Sequence, residues 1–503
     1  MTAGRPHRLL FSLAVLAAGV LAWALAGSLD ASSASNARAT AAAACDAKCQ
    51  AAKQRQKRAH QRRRNARQKR PNVVLINTDD MNVSDLFVMR KTLSLLGAHG
   101  TTFSHSYVSY PLCCPSRASQ LTGQYAHNHG VLTDQRFGDL DSSNTLAVWL
   151  SRAKYRTAMV GKYLNGYGVL DPRQVPQGWR QWYGLTGGTE QKRYGFKINE
   201  NGKVHNYPRK PTNYIDDVLG SKVNGILKDW APSPKPFFLY YNPNNPHGEK
   251  GTPVWSTRDP EPAPRYLGHF GDIPAPRPPN FDEPDVSDKP TQIRQIPRLS
   301  DQDKADIDRR YRGRIESLLS VDDEIKKIVG LVRKYGDKRK TFFIFTSDNG
   351  LELGAHRIEF KDYLYDEGEH VPLIIRGPGV PQNTTRDQLT ANIDLAPTIV
   401  GITKARPGRV MDGIDLLPLT RDPSVANNRT LLFESFDIGS FGVRQGPWSY
   451  NVYSDGEDEL YNLDDDPYQL HNVSGNAGVA SVRADLKSEL DRLRTCSGAS
   501  CQQ

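Results

Sequence analysis

The sequence predicts an α/β fold: a largely parallel β-sheet covered by helices on both faces, with a small antiparallel subdomain at its C-terminal end. Three observations predict it. Short runs rich in β-branched and aromatic residues recur after residue 71, and stretches at helical spacing separate them. From residue 426 onward, short strands alternate with acidic, turn-rich segments. The strand candidates are residues 73–76, 157–160, 237–241, 342–345 and 371–375. The clearest helix covers residues 304–334, where Ile315, Leu318, Leu319, Val321, Ile325, Ile328, Val329 and Leu331 fall on or near one face. Strands alternating with helices call for a sheet buried on both sides. Residues 231–300 break the pattern: they hold 16 of the 33 prolines and read as a surface loop near the site or a lid. Runs at 430–433 and 448–452 are strands of the C-terminal subdomain. The expected division is 1–26, an export signal or membrane anchor; 27–70, a basic linker; 71–425, the main α/β domain; and 426–503, the C-terminal subdomain and tail.

The chain has 503 residues, 38% of them hydrophobic, which excludes a polytopic membrane protein, a collagen-like chain and a mainly disordered one. Its net charge of +11 is unevenly placed: residues 1–70 carry 14 Lys+Arg against two acids, Asp30 and Asp46. The body is therefore close to neutral, which weighs against nucleic acid as its partner. Arg5 and Arg8 precede the apolar run 9–26, which ends in Ala24-Leu25-Ala26, a small-residue cleavage site. This predicts a secreted, extracellular protein, although the run is also long enough to stay as a membrane anchor. The basic run 53–70 reads as a solvated spacer or, more sharply, as an electrostatic contact with anionic cell-wall or sulfated polymers. Six cysteines suit an exported chain. Cys45, Cys49, Cys496 and Cys501 lie near the termini and can bridge within or between pairs. Cys113 and Cys114 stand side by side in mid-chain and need a separate explanation.

In open α/β sheets, ligands bind beyond the carboxyl ends of the strands. The run 73–76 leads into Asn77-Thr78-Asp79-Asp80, and 342–345 into Thr346-Ser347-Asp348-Asn349-Gly350. The run 157–160 leads into Gly161-Lys162, and 237–241 into NPNNPHG, which presents His247. One Asp-Asp or Asp-Asn pair is ordinary turn chemistry. Two such pairs at separate strand ends offer four hard oxygen ligands, Asp79, Asp80, Asp348 and Asn349, to one divalent cation. Such a set favours calcium, with magnesium second. Cys113 has Pro115 at +2 and Arg117 at +4, just where a helical pattern begins. No second Cys/His pair stands at zinc spacing. A thiolate nucleophile suits a helix start, but soft sulfur is a poor match for a hard-metal site. The chemistry makes more sense if residue 113 presents oxygen.

CCPSRASQLTG resembles the signature of the type I sulfatases of the alkaline phosphatase superfamily, in which C-x-P-x-R directs oxidation of the cysteine to formylglycine. Only Cys113 fits that spacing. The resemblance extends in order over most of residues 71–475: NVVLINTDDM, LTGQYAHNHGV, GKYLNGYG, NPHGEK, TSDNG with a lysine at 361, NIDLAPTIV with MDGIDLLPL, and ELYNLDDDPYQLHNV. It implies an alkaline-phosphatase-like large mixed sheet sandwiched by helices, and hydrolysis of sulfate monoesters. It implies that Asp79, Asp80, Asp348 and Asn349 bind the metal, completed by the hydrated aldehyde at Cys113. One hydroxyl of that hydrate attacks sulfur, and the other, once deprotonated, expels sulfate. Lys162 and Lys361 match the lysines that hold sulfate oxygens, and His247 the histidine that protonates the leaving alcohol. Arg117, on the same helical face as Cys113, holds the hydrate. Maturation requires a formylglycine-generating enzyme as partner.

The sequence departs from many relatives after Lys162, where Tyr163, Leu164 and Asn165 follow with no histidine at +2. GKYLNGY resembles instead the subgroup of the N-acetylglucosamine-6-sulfatases and extracellular 6-O-endosulfatases. Asn165 is read as orienting the hydrate and binding substrate, and His356 or a carboxylate as the base of the second step. His127 and His129 are read as structural. The substrate expected is a sulfated carbohydrate, a 6-O-sulfated N-acetylglucosamine-like unit. Two other readings stand beside it: a phosphonate or phosphate ester hydrolase of the same superfamily, and an inactive polyanion-binding surface protein.

Overall fold

The computed structural model describes residues 50–58, 70–250, 257–336, 340–425 and 428–502. The predicted export segment and most of the basic linker, with Cys45 and Cys49, lie outside these residues; residues 50–58 are helical. No described helix is long and apolar enough to cross a membrane.

The main sheet has ten strands. In chain order they are β1 (Asn72–Thr78), β2 (Thr101–Phe103), β3 (Arg156–Gly161), β4 (Gln181–Thr186), β5 (Phe196–Glu200), β6 (Lys203–Tyr207), β7 (Phe237–Asn242), β8 (Thr341–Ser347), β9 (Leu373–Arg376) and β10 (Thr384–Arg386). Their order across the sheet is β10-β2-β9-β8-β1-β7-β3-β4-β5-β6. The five central strands, β8-β1-β7-β3-β4, run parallel, and the flanks add antiparallel pairs, so the sheet is mixed. The register of β1 pairs Ile76 with Phe345 on one side and with Tyr241 on the other. That alignment brings three strand ends to one line.

Successive side chains of a strand point to opposite faces, and the central strands are apolar on both. Val74, Ile76, Leu239, Tyr241, Phe343 and Phe345 pack with helices α2 (Ile215–Trp230) and α3 (Asp301–Tyr335). Val73, Leu75, Phe238, Tyr240, Phe342 and Ile344 pack with α1 (Cys113–Thr122) and α4 (Leu395–Thr403). The predicted long helix is α3. It starts in a reciprocal cap: the Ser300 hydroxyl accepts from the Asp303 N–H, and the Asp303 carboxylate accepts from the Ser300 N–H. The proline-rich stretch contributes β7, then returns to the strand ends, where the Asp79 N–H donates to the Asn245 carbonyl.

A four-stranded antiparallel meander, β11 (Leu431–Ser435), β12 (Ser440–Gln445), β13 (Trp448–Tyr453) and β14 (Asp458–Asn462), carries α5 (Ala480–Leu493) against one face. Cys496 and Cys501 form a disulfide, the pairing within the C-terminal set. The Cys496 carbonyl accepts a hydrogen bond from the Asn128 side chain at 2.9 Å, which ties this end to the segment just after α1. Just before β11, Arg429 grips Asp394 with two bonds of 3.0 and 2.8 Å, both side chains buried. Arg429→Ala is expected to cost about 3 kcal/mol, the low end for breaking a buried pair. Asp394 would keep the N–H donors of Ala391 and Ile414. Urea denaturation of the two proteins measures this; an unchanged midpoint would refute it.

Candidate active site

Helix α1 begins at Cys113, directly after Leu112 in extended conformation, and every residue of the helix is buried. Pro115 sits in the first turn, where its missing N–H costs nothing. Cys113 thereby faces the ends of β1 and β8. Its Sγ lies 3.6 Å from Asp79 Oδ1, 3.9 Å from Asp80 Oδ1 and 2.8 Å from Lys361 Nζ. One turn along, Arg117 Nε donates to Asp348 Oδ2 at 2.7 Å, and its Nη1 donates to the Lys162 carbonyl at 3.1 Å.

The strand ends deliver the rest. Asp80 takes a left-handed backbone conformation, φ 66°, unusual for a residue with a side chain. Its N–H donates to Asp348 Oδ1 at 3.1 Å, and its carbonyl accepts from Arg314 at 2.6 Å. At the end of β3, Gly161 has φ 113°, and a Cβ there would lie 1.8 Å from the Asn242 carbonyl oxygen. Only glycine permits that approach. The chain then turns Lys162 inward, with Nζ 2.9 and 2.8 Å from the two oxygens of Asp79. Lys361 Nζ donates to Asp80 Oδ1, and Asn349 Nδ2 donates to the same oxygen at 2.7 Å. His247 Nδ1 donates to the Gly248 carbonyl at 2.5 Å, which leaves Nε2 facing Asp80 Oδ2 at 3.5 Å. One ligand atom each from Asp79, Asp80, Cys113 and His247 lies within 4.8 Å of the others. Buried Asn349 Oδ1 has no hydrogen-bond partner among the described residues. Convergent carboxylates with a buried, unsatisfied amide oxygen fit a hard divalent cation.

Residues 71–405 match the Sulfatase family, and residues 354–496 match N-sulphoglucosamine sulphohydrolase, C-terminal. The chain belongs to the sulfatase family. Among its relatives is the human N-acetylglucosamine-6-sulfatase, 33% identical over 86% of this chain and 86% of that protein. The extracellular sulfatase SULF-1 homolog of Drosophila melanogaster is 32% identical over 77% of this chain and 35% of its own length. A solved structure, BT4656 with its substrate D-glucosamine-2-N,6-O-disulfate, superposes with a TM-score of 0.70 at 23% identity, covering 84% of this chain and 97% of that one. This likeness supports the alkaline-phosphatase-like fold expected from sequence. The enzyme is a sulfuric ester hydrolase.

Within this sulfatase, three carboxylates meet three cationic side chains out of water. For Asp79, burial works to raise the pKa, but Lys162, His247, Arg117 and Lys361 pull it far below the carboxylate range. Asp80 is likewise drawn to about 2, burial being outweighed chiefly by Lys361 and His247. Asp348 goes the other way, to about 6, because burial outweighs its Arg117 partner. Burial also drives the Cys113 thiol well above its usual value despite the nearby lysines.

Nine of the ten residues singled out from sequence meet here. Asn165 is the exception. Its Nδ2 donates to Asp134 at 2.7 Å, and its carbonyl accepts from the neighbouring Cys114 Sγ. His356, the other candidate for the second step, is bound at Nδ1 to Glu283 and stacked on Tyr365, outside the cluster. His127 and His129 make structural bonds, to Glu434 and Ser119. Sequence reasoning missed Arg314, a buried arginine of α3 that binds the Asp80 carbonyl, Asn82 and Asp85. A charged residue on an apolar helix face was the available signal. It also missed Asn242, whose Oδ1 accepts from Arg117 and Asn77. A cavity of about 50 Å³ opens on Asp80, His247 and Lys361, with Arg310, Glu359 and Phe360 at its walls.

Proposed function

We propose that this sulfatase removes sulfate from a sulfated sugar, a 6-O-sulfated N-acetylglucosamine-like unit, outside the cell. The observation that carries the reading is the placement of Cys113 at a helix start between Asp79, Asp80 and Lys361, with His247 Nε2 facing the same space. Identity of 33% with an N-acetylglucosamine-6-sulfatase over most of both chains supports the choice of sugar. The apolar run at 9–26 and the likeness to an extracellular sulfatase support export. In this reading 71–425 is the catalytic domain, 426–503 its C-terminal subdomain, and 53–70 a contact for anionic polymers.

Asp79, Asp80, Asp348 and Asn349 would hold the cation, calcium before magnesium, which supplies Lewis acidity toward sulfate oxygen. Residue 113, oxidised to formylglycine by a generating enzyme, supplies a hydroxyl nucleophile. The other side chains do the remaining work. Lys162 and Lys361 present ammonium groups to the sulfate oxygens from two sides. Arg117 fixes the orientation of Asp348 and balances its charge. His247, engaged at Nδ1 with the Gly248 carbonyl, passes a proton from Nε2 to the leaving alcohol. Asn165 would act from beside the cluster, through the loop that it shares with Lys162.

Lys361→Ala should cost about 10²–10³ in single-turnover rate, the scale of one lost oxyanion-stabilising donor. The loss should be the same for good and poor leaving groups, because the sulfate oxygens need the charge in every step. A loss confined to poor leaving groups would reassign Lys361 as a proton donor. The function itself is tested by measuring turnover of N-acetylglucosamine 6-sulfate and of matched aryl sulfate, phosphate and phosphonate esters. Sulfate esters should lead, with the sugar sulfate turned over. Faster phosphonate hydrolysis would favour the phosphonate reading. Salt-sensitive polyanion binding with no turnover of any ester would favour an inactive binding protein.

A further inference from the structure

Behind the loop that carries His247 lies a fully buried arginine, Arg193, 0% exposed. Its Nε donates to Asn245 Oδ1 at 2.5 Å, and its Nη2 donates to the Asn244 carbonyl at 3.1 Å and to the carbonyl of His247 itself. Its own N–H donates to Glu249 Oε1 at 3.1 Å. Arg193 therefore holds residues 244–249 at four points. These guanidinium acceptors are carbonyl and amide oxygens of one loop, so the group acts as a planar template more than as a charge partner. Among the described residues no carboxylate pairs directly with this guanidinium, and burying a cation that way is costly. The position is anchored from behind as well. The Arg193 carbonyl accepts the Ile215 N–H at the start of α2, at 3.1 Å. Asn245 Nδ2 reaches Asp216 Oδ2 at 2.7 Å and the Tyr214 hydroxyl at 3.0 Å, and Ser320 of α3 donates to the same Asp216 oxygen at 2.5 Å.

We infer that Arg193 is the positioning residue for His247. The histidine has its carbonyl held by Arg193 and its Nδ1 held by the next carbonyl in the chain. With both fixed, the direction of Nε2 is set by the backbone of the loop. Without the guanidinium fork, residues 244–247 lose three donors at once and the ring is free to shift. A displacement of about 1 Å at a reacting group costs on the order of 10²-fold. The inference rests on the reading of His247 as the proton donor only for the pattern of leaving groups; the coupling between the two residues is independent of it.

The test is a double-mutant cycle on the full, matured enzyme: R193A, H247A and the double variant, each measured as single-turnover rates on a sugar 6-sulfate and on a nitrophenyl sulfate. R193A is expected to lose about 10²-fold on the sugar ester and under about threefold on the nitrophenyl ester, with KM little changed. In the H247A background, removing Arg193 should change either rate by less than about threefold, because the residue through which it acts is gone. R193K keeps the charge but not the fork, and should show the same leaving-group pattern at smaller amplitude; it decides the case if R193A does not fold. Independent, multiplicative losses, or equal losses on both esters in R193A or R193K while H247A keeps its leaving-group pattern, would overturn the inference. If H247A loses equally on both esters while the cycle stays coupled, the positioning role stands and the proton-donor reading of His247 fails.

Discussion

Asp348→Asn should abolish turnover, by more than about 10³-fold, and abolish divalent-cation binding in the same step. Asp348 has one oxygen on the N–H groups of Asp80 and Asn349 and the other on Arg117 Nε at 2.7 Å. An asparagine keeps the shape but not the charge, and it must turn an N–H toward one of these donors. In its proposed role as a cation ligand, Asp348 would take with it one charge of the ligand set and several kcal/mol of Lewis-acid stabilisation. Arg117 would keep the Lys162 carbonyl, the Asn242 amide and a distant carboxylate, Asp79 at 3.7 Å. Leaving a buried charge short of its partner costs about 3–5 kcal/mol, so the variant should also melt earlier. Elemental analysis of the purified variant, set beside its rate and melting curve, separates the two effects. Full activity of the wild-type enzyme after exhaustive chelation, with no metal detected, would remove the basis for the claim.

Cys113→Ala should be more damaging still, by a factor on the order of 10⁵–10⁶, the scale for loss of a covalent nucleophile. Cys114→Ala should keep activity within about threefold, because its Sγ faces the Asn165 carbonyl at 3.4 Å and packs in the apolar layer beside α1. The adjacent cysteines thus provide an internal control. In active wild-type enzyme, the tryptic peptide should carry an alkylatable thiol at 114 but none at 113. An unmodified Cys113 in fully active protein would sink the formylglycine assignment.

The chain announced its own architecture wherever the physics is local. Apolar runs of strand length, each ending in Asp-Asp, Asp-Asn, Gly-Lys or a His-bearing loop, marked β1, β8, β3 and β7 and the residues they present. A strand's carboxyl end lies where its apolar run stops, so sequence alone locates the candidate site residues along the chain. The helix α3 was equally legible, since its period and its Ser300–Asp303 cap are short-range features. The C-x-P-x-R spacing put Cys113 and Arg117 one helical turn apart by geometry alone.

Other features depend on residues far apart in the chain, and these only the tertiary structure decided. Arg314 reaches the Asp80 carbonyl from 234 positions away, and nothing in its neighbourhood foretells that partner. Asn165 follows Lys162 by three residues, yet Asp134 takes its side chain. His356 lies five residues from Lys361, but Glu283 holds its ring. The short flanking strands β2 and β10 carry too few residues to show a period, and become strands only because the sheet offers them an edge. Arg193 is the plainest case. A basic residue in a polar loop reads as solvated, because burying a cation is unfavourable until a folded loop supplies several oxygens at once to receive it.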